Sequence, residues 1–275
     1  MFPETSYFEP AARDEVSGAA TVVLGPGASA RPQTILQYIT ETCILVRYLE
    51  TEPVIEDWSG GRRVMNVSLR ELEAEGRAEM ALTLILALKR KLIRHNQQML
   101  EGKWIAHMAS EAVGTTVGIV GSGPEGTILA GYLTGLGCRV IGCRDHGTQE
   151  AGGDMDKNIR EIFEESDIVS LHMTGLSRYK GAVGSEYIGF MKPHAVLIDT
   201  GCPLAVNTGA LYAALKARQI EAAALDCFDR EEIPADSPLL ALHNLIVTPH
   251  ISGKTRETLW KIDKHMIDML REEIG

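Results

Sequence analysis

Aromatic side chains are scarce in this chain, with three Trp, seven Tyr and five Phe among 275 residues. The apolar 45% is therefore mostly aliphatic, an ordinary share for a soluble globular protein. Basic charge is also short. Lys and Arg number 27 against 37 Asp and Glu, a net charge of −10. That balance argues against nucleic acid or an anionic membrane as a partner. No apolar run reaches the roughly 18 residues of a spanning helix. The opening MFPETSYFEPAARDE has no basic stretch followed by an apolar core, so no secretory signal is expected. Cys43, Cys138, Cys143, Cys202 and Cys227 form no CxxC pair and no metal-ligand spacing. They read as reduced thiols in a cytoplasmic protein that holds no metal.

What is present falls into two parts. The first 20 residues show no periodicity. TVVLGPG (21–27), CILVRY (43–48) and RRVMNV (62–67) read as strands, with a helix from Arg31 to Thr42. They make a small α/β unit. Residues 69–100 then read as one long helix, free of Pro and apolar nearly all round in MALTLILALKRKLI. Such a helix packs between domains, against a second subunit, or as an ordinary core helix. From 116 onward short apolar strands alternate with helices: strands at 116–121, 138–143, 167–173, 195–200, 221–227 and 245–250, helices at 124–136, 155–166 and 209–219. A short helix, SEYIGFM, precedes the 195–200 strand, and a last helix covers about 254–273. This alternation predicts an α/β fold, a doubly wound parallel sheet of Rossmann type. The expected domains are 1–105, joined by the C-terminal helix 255–275, and 106–254.

The segment VGIVGSGPEGTILAGYLTGLGCRVIGCRD carries the clearest chemistry. A GxGxxG pattern ends an apolar strand, opens a helix and leads to a second strand with charged residues at its end, the context a dinucleotide loop needs. Gly121 allows the tight turn, Gly123 lets backbone approach a pyrophosphate, and Gly126 lets the helix pack close to the sheet. Ser122, Pro124 and Glu125 complete the loop. Helix N-terminal amides bind the diphosphate. A structural Gly turn without nucleotide is the alternative. Arg144 stands where an acid that accepts from ribose hydroxyls is expected, with Asp145 next. Arg at this place favours NADP over NAD.

LHMTGLSRYKGAVGSEYIGFMKPHAVLIDTG and AAALDCFDREEIPADSPLLALHNLIVTPHISG, with GSGPEG and EGKW, closely resemble the D-isomer-specific 2-hydroxyacid dehydrogenases over about residues 64–270. The resemblance implies a Rossmann domain with a second, smaller flavodoxin-like α/β domain. It also implies hydride transfer between nicotinamide C4 and C2 of a small keto or hydroxy acid. His250 of TPH takes the place of the family's proton donor, and Glu231, counted from Asp226 in ALDCFDRE, that of the carboxylate holding it. Such a neighbour raises an imidazole pKa toward operating pH. Cofactor contacts implied by the same motifs are His172, Met173 and Thr174 along the adenosine, Thr200 and Gly201 at the nicotinamide ribose, Asp226 at the carboxamide, and Ser252 and Gly253 over the ring. The matching long helix implies a homodimer.

One position departs. Where the family has the Arg that binds the substrate carboxylate, this chain has Cys202, followed by Pro203. A thiol offers neither fixed charge nor a forked donor array. A charged hydrogen bond there contributes about 1.5–3 kcal/mol. Cys202 as a covalent nucleophile is a further alternative. The family's glycine-rich substrate loop is replaced by YLETEPVIEDW, with Glu50 and Glu52. Three readings follow. The first is an oxidoreductase with altered substrate recognition, using Arg47, Arg62, Arg63 or Arg77 as the cation. The second is a catalytically degenerate NAD(P)-binding sensor or scaffold. The third is lyase or hydrolase chemistry with recycled cofactor.

Overall fold

The computed structural model describes residues 21–24, 44–49, 64–121, 123–143, 155–173, 179–201, 203–228 and 233–274. The expected helix at 31–42 lies outside these. Two compact units are present, Met1–Leu72 with Leu259–Gly275, and Glu73–Thr258.

The first unit holds a parallel three-stranded sheet in the order β1 (Thr21–Leu24), β2 (Ile44–Leu49), β3 (Val64–Ser68). Leu69 is buried there, with Leu72, Ile262, Met266 and Met269 packed against it.

Helix α1 (Leu69–Lys89) runs into the second unit and buries Ala74, Ala78, Ala81, Ile85 and Leu88 along one stripe. It ends earlier than the sequence reading, which continues one helix to 100. The chain turns at Arg90 and Lys91, and α2 (Leu92–Leu100) starts afresh. Lys91 is left-handed, at φ 52°, and the Lys89 carbonyl accepts the Ser110 N–H at 2.9 Å rather than continuing the helical ladder.

Six parallel strands form the second sheet: β4 (Thr116–Val120), β5 (Arg139–Cys143), β6 (Ile168–Leu171), β7 (Val196–Asp199), β8 (Ala222–Leu225) and β9 (Leu245–Val247). Their order is β5-β4-β6-β7-β8-β9. Strands β4, β6, β7 and β8 are apolar runs because most of their residues are buried on both faces, as parallel sheets require. Val117, Ile168, Ile198 and Ala224 face α1 and α3 (Pro124–Gly135). Val169, Leu197, Ala223 and Leu225 face the core formed with α4 (Met155–Glu165), α5 (Ser185–Phe190) and α6 (Thr208–Lys216). A 3-10 turn at Pro238–Ala241, absent from the sequence reading, precedes β9. The last helix, α7, is Arg256–Ile274.

At the amino ends of β4 and β6, Asp167 accepts the Thr116 N–H at 2.8 Å, Lys192 Nζ at 2.8 Å and His194 Nε2 at 3.0 Å. Burial pushes its carboxyl up, but the bonds from Lys192, Thr116 and His194 and the Lys192 charge outweigh it and hold the pKa at about 2 rather than 3.8. A depressed carboxyl stabilises the fold above the unfolded pKa and loses that effect as pH falls toward 2. Asp167→Asn is therefore expected to cost about 2 kcal/mol at pH 7, with the gap closing between pH 4 and pH 2. Urea unfolding at both ends of that range checks it; a gap independent of pH contradicts it.

Candidate active site

Chain order reverses beside β4. The chain leaves β4 for β5 on one side and later returns to β6 on the other. In open parallel sheets a ligand crevice forms at the carboxyl ends of the strands at such a switch. The loops leaving β4 and β6 meet there. Gly121 has φ 119°, and a Cβ on it would lie 2.3 Å from the His172 carbonyl oxygen. Neither the backbone nor the space admits a side chain. Gly123 is the N-cap of α3, and Pro124 follows in the first turn, where its missing N–H costs nothing. A Cβ on Gly126 would stand 3.2 Å from Ile119 and 3.5 Å from the His172 Cβ, so α3 packs tightly onto the strand. The bare turn and the opening of α3 fit a dinucleotide pyrophosphate.

His172 is fully buried and its Nε2 bonds Ser170 Oγ at 2.8 Å, while its backbone carbonyl lies against Gly121 of the turn. Met173 is also buried. Gly201, beyond β7, rests on the same segment, where a Cβ would come within 3.1 Å of the His172 Cα. Thr200 beside it is buried, and its Oγ1 has no hydrogen-bond partner among the described residues. An orphaned hydroxyl at that place also fits a bound nucleotide. Asp199 accepts the Gly201 N–H at 3.1 Å.

The next element in line is the turn that carries His250. Asp226, at the end of β8, is fully buried. Its Oδ1 accepts from Thr248 Oγ1 at 2.5 Å and from the Ile251 N–H at 2.9 Å, and its Oδ2 accepts the Ser252 N–H at 2.7 Å. The sequence reading puts this carboxylate at the carboxamide; here both oxygens latch the 248–252 turn. Ser252 Oγ reaches the Thr200 carbonyl at 3.5 Å, which ties the turn to the β7 loop. His250 itself is left-handed, at φ 51°. A non-glycine residue in that region costs on the order of 1 kcal/mol, so the latch must hold it. Ser252 and Gly253 are buried beside it.

Gly121, Gly123, Gly126, His172, Met173, Thr200, Gly201, Asp226, His250 and Ser252 are thus brought to one rim of the sheet. Ser122, Arg144, Asp145, Thr174, Cys202 and Glu231 lie outside the described residues. Sequence reasoning missed the Asp226 latch: two of its three donors are backbone N–H groups about 25 residues downstream, and no spacing rule reveals them. Among the described residues no group of three His, Cys, Asp or Glu could hold a metal, and no helix is long and apolar enough to cross a membrane.

Glu125 is buried in the first turn of α3, 3% exposed. There its charge suits the helix dipole but opposes an incoming diphosphate. Glu125→Gln is expected to tighten NADH binding about three- to tenfold. Fluorescence titration checks this; unchanged or weaker binding contradicts it.

Comparison with known proteins agrees with this geometry. Residues 82–252 match the family described as D-isomer specific 2-hydroxyacid dehydrogenase, NAD binding domain. A glyoxylate reductase from Korarchaeum cryptofilum is 32% identical over 209 residues, 73% of this chain and 62% of that protein. This chain therefore spans less than two thirds of that relative's length. A glyoxylate/hydroxypyruvate reductase B from Escherichia fergusonii is 30% identical over 78% of this chain and 69% of its own. The fold matches the NAD-complexed D-isomer specific 2-hydroxyacid dehydrogenase of Lactobacillus delbrueckii ssp. bulgaricus, with TM-score 0.79 and 24% identity over 98% of this chain and 88% of that one. The sheet and its glycine turn define a dinucleotide-binding Rossmann protein. The chain belongs to the D-isomer-specific 2-hydroxyacid dehydrogenase family.

Proposed function

We propose that this chain is an NAD(P)-dependent oxidoreductase. It moves hydride between the cofactor and a small keto or hydroxy compound, with His250 exchanging the proton on the substrate oxygen. The observation that carries this reading is the Asp226 latch. It fixes the Thr248–Ser252 turn against Thr200, one loop from the glycine cradle. Gly121, Gly123 and the first turn of α3 would hold the diphosphate, and Thr200 and Gly201 the nicotinamide ribose. Bound NAD(P)H supplies a hydride at nicotinamide C4. The chain's own part is to aim His250 at the oxygen that gains charge, with Glu231 as its carboxylate partner. Arg144 favours NADP(H). Cys202 removes the usual carboxylate clamp, so the substrate is one held by another cation or without an α-carboxylate.

The test is oxidation of NADH and NADPH with glyoxylate, hydroxypyruvate, further keto acids, aldehydes and ketones. Turnover of at least one compound is expected. Tight nucleotide binding with no turnover of any compound would establish the second reading, a nucleotide-binding sensor. That reading draws on Cys202 and on the buried Glu125 at the cradle.

We further propose a homodimer built on residues 92–108. Leu100 is 81% exposed, and Trp104 and Met108 are each 88% exposed, an apolar surface suited to a second copy of the same segment. Light scattering should give twice the chain mass, and a monomer overturns this. The cytosol suits such a protein, whose five scattered cysteines form no CxxC pair.

A further inference from the structure

Glu73 and Arg77 were not part of the dehydrogenase motifs, yet they lie against the turn that follows His250. Arg77 donates through Nε at 2.9 Å and through Nη2 to Glu73 Oε2. The two side chains are 14% and 13% exposed. Ordinary i,i+4 pairs on a helix face water and do little. This one faces Gly253. A Cβ on Gly253 would lie 2.6 Å from the Glu73 Cδ and 2.9 Å from each carboxylate oxygen. The carboxylate therefore packs against the bare face of Gly253, and a side chain there would have to push the end of the Glu73 side chain aside. One turn along the helix, Gly76 brings α1 onto the Ser252 carbonyl, where a Cβ would stand at 3.1 Å.

We infer that Glu73, oriented by Arg77, is a positioning residue for the reaction: its carboxylate seats the Ser252–Gly253 backbone and through it the His250 imidazole. The turn has two walls. Asp226 grips the amides of Ile251 and Ser252 from the sheet side. Glu73 closes the side of Gly253 that faces α1. His250 draws on both, because a left-handed backbone at a non-glycine residue costs on the order of 1 kcal/mol and must be held by its surroundings. With one wall gone, the turn is free to shift, and displacement of a reacting group by about 1 Å can cost on the order of 100-fold in rate.

This role rests on the proposed proton transfer by His250, so its test carries a readout independent of turnover. Glu73→Ala, Glu73→Gln and the wild type are compared with NADH bound. Glu73→Ala is expected to lower kcat about 10- to 100-fold while KM for NADH changes less than about threefold. Glu73→Gln, which keeps the shape and an acceptor for Arg77, is expected to recover most of the rate. In parallel, the His250 imidazole signal is followed by NMR, assigned by its loss in His250→Ala. It should move in Glu73→Ala and return toward the wild-type position in Glu73→Gln. An unmoved imidazole signal in Glu73→Ala overturns the inference, whether or not a substrate is found. A wild type that turns over nothing, with the imidazole signal still moving, would sink the dehydrogenase reading and leave the seating role standing.

Discussion

Gly121→Ala is expected to bind NADH at least about 10- to 100-fold more weakly than the wild type. The backbone here is at φ 119°, a region that costs other residues about 1–3 kcal/mol. The space is closed as well. A methyl group would sit 2.3 Å from the His172 carbonyl oxygen and 2.8 Å from the Met173 nitrogen, both backbone atoms that cannot swing aside. Relief requires the turn to lift off the β6 loop, which spoils the row of amides offered to a diphosphate. The loss should therefore appear in affinity first and in Tm second. Fluorescence titration with NADH and a thermal melt separate the two. Affinity within twofold of wild type would show that the turn does not contact the nucleotide.

His250→Asn should lower kcat about 10²- to 10⁴-fold, the usual contribution of a positioned proton donor, with NADH affinity held within about threefold. Asn is the informative replacement. It tolerates left-handed backbone better than most residues, so the Asp226 latch and the Ser252 contact survive while the titrating ring is lost. His250→Ala removes the ring but also strains the turn. Similar losses in both variants assign the effect to the imidazole. A loss confined to Ala would assign it to the backbone. Wild-type rates in Asn, measured on whichever substrate is turned over, would exclude acid–base work at this position.

Much of this fold could be read in the residues. Strands such as Val196–Asp199 are short apolar runs because the parallel sheet buries both their faces, and that pattern needs no context. The glycine turn was legible for the same local reason, since strand, glycines and helix follow one another directly. Most strand ends were read one to three residues too long, because nothing local in residues such as Asp167, Thr200, Glu221 and Asp226 marks where the ladder stops. The break between α1 and α2 carries no Gly or Pro; it depends on Ser110 taking the Lys89 carbonyl, a contact between residues 21 apart. Arg77 stood out in the sequence only as a candidate cation and Glu73 not at all, since only the folded turn at Gly253 shows what they face. The Asp226 latch was hidden likewise, because amide donors have no sequence signature.

The peptide at 171–173 lies beneath the β4 turn and the β7 loop alike, with Gly121 and Gly201 each pressed onto its backbone. The crevice thus has a floor that a side chain at either glycine could not thicken without lifting its loop. Remodelling for larger or differently charged substrates would have to come from the loops around its mouth. Acceptance of new molecules in laboratory evolution should then follow changes there, while the glycines underneath stay fixed.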